Sequence, residues 1–146
     1  MSSQVWVRSQ RLLDAPPDRV HRAWSDPEEL TAWFCRSVEG SLLVGARSEL
    51  VWADRRMAIE VLESDPPGRF GFRWTPVAGA TTTTVVGVTI ERVGYGSRVT
   101  LEDGPFDLDD PGAGEAFGWT AEMWGSAMAN LRARVDFGVD LRRPVR

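Results

Sequence analysis

Chemistry needs side chains that can move a proton, hold a metal or carry an electron pair, and this sequence arranges few of them. His21 is the sole histidine and Cys35 the sole cysteine. His21 shares one helical face with Pro17, Val20 and Trp24, at spacing i, i+3, i+4, i+7. At a pocket edge, such an imidazole could orient a ligand or move a proton; half-buried and bonded to backbone, it would be structural. Cys35 reads as a small half-buried residue rather than a reactive thiol. No serine sits in a Gly-x-Ser-x-Gly elbow, and Gly94-Tyr95-Gly96 reads as a hairpin turn rather than a phosphate loop. One Cys and one His make no metal cluster without several carboxylates. Asp103, Asp107, Asp109 and Asp110 fit no calcium loop and read as solvated charge before a helix N-terminus. Arg55 and Arg56 read as solvent-facing turn residues. No catalytic residue, metal or cofactor is nominated, and the chain reads as leaning away from enzyme chemistry.

The aromatic residues are the stronger signal. Seven tryptophans in 146 residues is far above the ordinary frequency: Trp6, Trp24, Trp33, Trp52, Trp74, Trp119 and Trp124. Each is bulky and carries one N–H that needs a partner when buried. Spread over many elements, they make either a core of large pieces or the walls of a cavity.

Those residues must be positioned by one domain, since 146 residues suffice for one core and not two. A net charge of −4 leaves no basic field for nucleic acid, although all 17 basic residues are arginine. A single cysteine forms no internal disulfide, which fits a reducing, cytoplasmic compartment. The start, Met1 to Trp6, lacks a basic segment followed by an apolar run, so no signal peptide is expected. No stretch approaches the roughly 20 apolar residues of a membrane helix.

Along the chain, residues 4–13 read as a first strand, ended by Asp14-Ala15-Pro16-Pro17. Two short helices follow. The second starts at Asp26, with Pro27 in its first turn and Glu29 three residues after the cap. From 36 to 103 the apolar period is two: Leu50 and Trp52; Met57, Ile59 and Val61; Phe70, Phe72 and Trp74; Val86, Val88 and Ile90; Val99 and Leu101. Turn residues separate these runs at 53–54, 65–68, 76–80 and 94–96, predicting an antiparallel meander. A helix is predicted over 114–137, with the stripe Phe117, Ala121, Trp124, Met128, Leu131 and Val135, and Gly138 as its stop. The domain therefore spans 1–138, and 139–146 read as a flexible tail without assigned function.

The alternation places Trp52, Ile59, Phe72, Trp74 and Val88 on the face toward Trp124 and Met128 of the long helix. Trp33 and Phe106 would lie near the mouth, with His21 at the edge. A sheet curved around a helix leaves a gap that such side chains either fill or line.

The ordered set of local patterns resembles a known family. Ala15-Pro16-Pro17-Asp18-Arg19-Val20 leads into Ala23-Trp24-Ser25-Asp26-Pro27-Glu28-Glu29-Leu30 and Trp33. Glu60 to Phe70 resembles the family's strand, Pro-Pro turn and strand. Ser97-Arg98-Val99-Thr100-Leu101 resembles its penultimate hairpin, and Trp124, Met128, Leu131 and Val135 its final helix. The likeness is to the START-like superfamily called SRPBCC, and within it to the family named for activators of the heat-shock-protein-90 ATPase. It implies an α+β helix-grip fold: a curved antiparallel sheet wrapped around a long C-terminal helix, with two short helices after the first strand. It also implies a small hydrophobic or amphipathic ligand between sheet and helix. Alternatives are a cyclase or aromatase-like enzyme on the same pocket, using His21, Arg36 and Thr100, and a co-chaperone-like protein-binding module. The last needs an apolar outer sheet face, whereas Glu60, Arg69, Arg73, Glu91, Arg98 and Glu102 are expected there.

Overall fold

The computed structural model describes residues 3–76 and 82–142. β1 (Gln4–Leu13) is followed by α1 (Pro17–Ser25) and α2 (Pro27–Leu30). Asp26 caps α2, its carboxylate accepting from the backbone N–H groups of Glu28 and Glu29. The meander comprises β2 (Ser37–Glu39), β3 (Arg47–Val51), β4 (Arg56–Asp65), β5 (Arg69–Trp74), β6 (Thr84–Val93) and β7 (Gly96–Asp107). α3 (Ala113–Phe137) closes the fold, and Gly138 ends it in the left-handed region at φ 65°.

The seven strands form one antiparallel sheet in the order β1-β7-β6-β5-β4-β3-β2. Hairpins join consecutive strands from β2 to β7, and β1 returns to pair with β7. The helix-grip expectation is met: one sheet face is buried against α1 and α3, and the other is polar. On the inner face Leu50, Ile59, Phe72, Val88 and Leu101 are buried. On the outer face Arg47, Glu60 and Arg73 stand in one cross-strand row, with Arg73 donating to Glu60 at 2.8 Å.

Several details depart from the periodicity reading. β2 was not foreseen; it is three residues long, too short to display a period. The turn expected at 76–80 lies almost wholly outside the described residues. In α3, Ala121 is exposed and Thr120 is buried in its place, along with Ala127. β7 runs on through Gly104, Pro105 and Phe106 and bulges there: Gly104 and Pro105 together stand opposite Trp6, between the pairs Val5–Phe106 and Val7–Asp103. Gly104 is needed there: a Cβ at that position would meet the Trp6 ring at 2.5 Å.

Of the segment expected as a tail, residues 139–142 are described. Arg142 donates to the carbonyl oxygens of Thr31 and Cys35, at 2.8 and 3.0 Å, and pins the chain beyond α3 to the segment after α2. Arg143 and Arg146 lie outside the described residues.

Candidate functional site

Extending the alternation of Val99 and Leu101 by one step puts Asp103 on the inner face, where it is fully buried. Its expected place in a solvated acidic loop is therefore corrected; Asp107 ends β7, and Asp109 and Asp110 lie in the turn beyond it. One Asp103 oxygen, Oδ2, accepts from two indoles: Trp124 Nε1 at 2.9 Å and Trp74 Nε1 at 3.2 Å. The other, Oδ1, accepts from the Thr84 hydroxyl. The carboxylate thus ties β7 to β5, β6 and α3. Burial raises its pKa above the ordinary value; the bonds from Thr84, Trp124 and Trp74 oppose that rise without cancelling it.

An aromatic cluster surrounds this acid. The Trp124 ring lies 5.4 Å from Trp74 and 6.0 Å from Trp24, and stacks on Phe34 at 5.1 Å with an interplanar angle of 11°. Trp33 meets Trp24 edge-on at 4.8 Å and donates its N–H to the Ala23 carbonyl at 3.0 Å. Phe72 packs edge-on against Trp74 at 5.4 Å. Trp24 Nε1 is buried without an acceptor, an unmatched donor inside the cluster. Trp24, Trp33 and Trp124 are wholly shielded, so no water-sized void borders them. The gap between sheet and helix is filled here by aromatic rings.

The cluster does not end in the interior. Phe34 meets Trp52 edge-on at 5.2 Å, and the Trp52 indole donates to the Phe34 carbonyl at 2.8 Å. Trp52 lies just past the end of β3 and is only half-buried. Over its ring, at 4.7 Å, sits the Arg55 guanidinium, which also lies 5.1 Å from the ring of Trp119. Trp119, on the first turns of α3, is 38% exposed. Arg55 was expected to face solvent; it lies instead between two indoles, while Arg56 is the exposed one of the pair, bonded to Glu39 and Glu49. A continuous run of ring contacts therefore leads from Trp52 through Phe34 to Trp74 and Trp124 at the buried Asp103, and Arg55 links Trp119 to its outer end.

Most residues expected at the site come together in this region: Trp33, Trp52, Phe72, Trp74 and Trp124 through ring contacts. Ile59 pairs with Trp74 across β4 and β5, and Val88 is buried on β6. Phe106 meets Phe117 at 5.7 Å, and Met128 is buried one turn after Trp124. His21 is buried too, with Nε2 donating to the Arg69 carbonyl at 3.0 Å and Nδ1 facing the Ser25 hydroxyl at 3.2 Å. Its ring reaches the cluster through Phe70 and Phe72. Cys35 is fully buried, and burial pushes its thiol up to about 11, against a weaker pull from Arg142. Asp103, Phe34, Arg55 and Trp119 were the residues missed. Asp103 was legible as an acid at an inward register, whereas Arg55 carried no sequence signal.

A hollow of about 570 Å³ is lined by Glu49, Glu60, Arg73, Thr75 and Thr83, and also by Ile59 and Trp74. Of its charged side chains, Arg73 pairs with Glu60, and Glu49 receives Arg56, which lies outside the lining, at 3.1 Å. That leaves few free polar groups to direct a ligand. Among the described residues, no three His, Cys, Asp or Glu side chains are grouped to hold a metal ion. No described helix is long and apolar enough to cross a membrane.

The profile of the family described as activator of Hsp90 ATPase homolog 1-like protein matches residues 14–136. The chain belongs to this family. No curated protein matches it. Among solved structures, the chain is similar to DynU16, a protein in the dynemicin biosynthetic locus, at 25% identity and a TM-score of 0.79. That match covers 91% of this chain and 48% of DynU16, so the chain spans about half of that protein's length. It is similar to CalU16 from Micromonospora echinospora at 18% identity and a TM-score of 0.72, over 97% of this chain and 88% of that one. The Aha1 dimer from Colwellia psychrerythraea shares 13% identity at a TM-score of 0.77, over 92% and 98% of the two chains. The last two likenesses establish the fold alone.

Proposed function

We propose that this chain binds a small, predominantly apolar molecule between the sheet and α3, entering beside Trp52 and Trp119. The observation that carries the reading is the run of ring contacts from Trp52 at the rim to one buried carboxylate. Three donors offset part of the cost of burying this acid, yet its pKa stays raised, and titratable groups perturbed in this way cluster at functional sites. Apolar walls with a few convergent polar groups, here Asp103 and the unmatched Trp24 N–H, are the usual form of a small-molecule site. Because the interior is filled, entry requires displacement of a rim side chain; half-buried Trp52, which packs on Phe34, is the ring that covers the path. Family membership and the likeness to a protein of a biosynthetic locus support the reading.

A cyclase-like reaction is the second reading, favoured by the raised carboxyl of Asp103, which could hold a proton for transfer. Complete burial and three donors already on its oxygens place it behind binding.

The test uses N-phenyl-alpha-naphthylamine, a neutral apolar probe that brightens in dry surroundings. Saturable binding, quenching of Trp fluorescence and a raised Tm are expected, since a ligand selective for the native state stabilises it. Trp52→Ala is expected to change probe affinity. Absence of saturable binding would retire the reading.

A further inference from the structure

We propose that Arg55 is the anchor for an acidic group on the ligand, so that the chain selects anionic amphipathic molecules: an apolar body ending in a carboxylate or similar oxyanion. This rests on the ligand-binding reading above and adds the ligand's charge to it. The turn between β3 and β4 presents Trp52 and Arg55 together, closed by the Trp52 N–H donating to the Arg55 carbonyl at 2.8 Å. The guanidinium lies 4.7 Å from one indole and 5.1 Å from the other, at the outer end of the aromatic path. Contact with ring faces balances its charge but satisfies none of its N–H donors.

The donors of Arg55 are poorly matched. Its Nε is buried without a partner, and its side chain is only 23% exposed. Its carboxylate contact is Asp54 at 3.9 Å, beyond hydrogen-bond distance, and Asp54 itself is 78% exposed. Arginines of the outer sheet face differ: Arg56, Arg69 and Arg73 reach carboxylates at 2.7, 3.2 and 2.8 Å. A largely dehydrated guanidinium with open donors, beside an apolar passage, is matched by a carboxylate, which accepts from two N–H groups at once. The apolar part of the same molecule would then take the place of the Trp52 ring against Phe34.

The experiment compares two probes of one skeleton: neutral N-phenyl-alpha-naphthylamine and its sulfonated analogue, anilinonaphthalene sulfonate. Affinities are measured on the full chain and on Arg55→Met, Arg55→Lys and Arg56→Met, and the anionic-to-neutral affinity ratio is compared. A direct charged hydrogen bond predicts a ratio of about tenfold or more in the parent chain. It is expected to fall to near unity in Arg55→Met, to be partly kept in Arg55→Lys, and to be unchanged in Arg56→Met. Taking a ratio within each variant cancels any general effect on entry. Binding of both probes with a ratio indifferent to Arg55 would overturn the inference and leave the ligand-binding reading standing. Failure of both probes to bind would retire the two together.

Discussion

The two ends of α3 meet the rest of the molecule in different ways. The C-terminal turns are fastened by ions and backbone hydrogen bonds. Asp136 accepts from the backbone N–H groups of Asp14 and Ala15, at 3.0–3.1 Å. Glu29 of α2 receives Arg134 of α3 at 3.3 Å and Arg19 of α1 at 3.0 Å, linking three helices. Burial pulls the Glu29 carboxyl upward, but bonds and charges from Arg134 and Arg19 outweigh it and hold the carboxyl below its ordinary value. Around the N-terminal turns the contacts are aromatic faces, and they run out to the exposed Trp119 and to Arg55, whose carboxylate contact is 3.9 Å away; unmatched arginine donors occur at both ends. Directional bonds resist rearrangement because each broken one leaves a desolvated group, whereas stacked rings can slide or be replaced by another apolar body. Directional bonds hold one end and ring faces the other, and the proposed entrance lies at the second.

The comparison can be broken by mutation. The interior behind both ends is expected to be equally essential. Trp74→Ala is predicted to cost about 3–5 kcal/mol, and Leu131→Ala about 2–5 kcal/mol, by urea denaturation. A Trp74→Ala cost below about 1 kcal/mol would mean that the ring lines space rather than filling it. Glu29→Gln leaves Arg134 and Arg19 without their counter-charge and is predicted to cost about 1–3 kcal/mol.

Asp103 gives a pH signature at the aromatic end. Its native pKa is raised by burial, so the native state holds the proton to higher pH than the unfolded chain does. Its contribution to stability is therefore greatest below the ordinary aspartate value and declines as pH rises through the native one. Asp103→Asn keeps an oxygen for the two indoles and has no charge to bury. Between about pH 4 and about pH 8, the parent chain is expected to lose stability relative to this variant. A constant difference would mean that the carboxyl ionises in the native state as easily as in water. Glu29 acts oppositely, its contribution being lost as pH falls, and it cancels in this comparison because both chains carry it.

The smallest effect is expected at the rim. Arg55→Met is predicted to cost under about 1 kcal/mol, the usual value of a partly exposed cation–π contact. If it costs as much as Glu29→Gln, the rim is fastened like the far end, and the distinction between the two is lost.

Much of this was legible in the chain. Residues such as Ile59, Phe72, Val88 and Leu101 announce one buried sheet face because strand side chains alternate strictly, and the long helix appears through Trp124, Met128 and Leu131 at helical spacing. Asp103 was obscured by composition: it stands close to three other aspartates, and a bulge hid the continuation of its strand. Periodicity assigns a residue to a face, which is a local property of the backbone. Whether the facing rings close on one another, which carboxylate receives two indoles, and which arginine lies between tryptophans depend on distances between elements far apart in sequence. Trp119 and Arg55 are 64 positions apart and meet only because the β3–β4 turn and the first turns of α3 converge on the same rim.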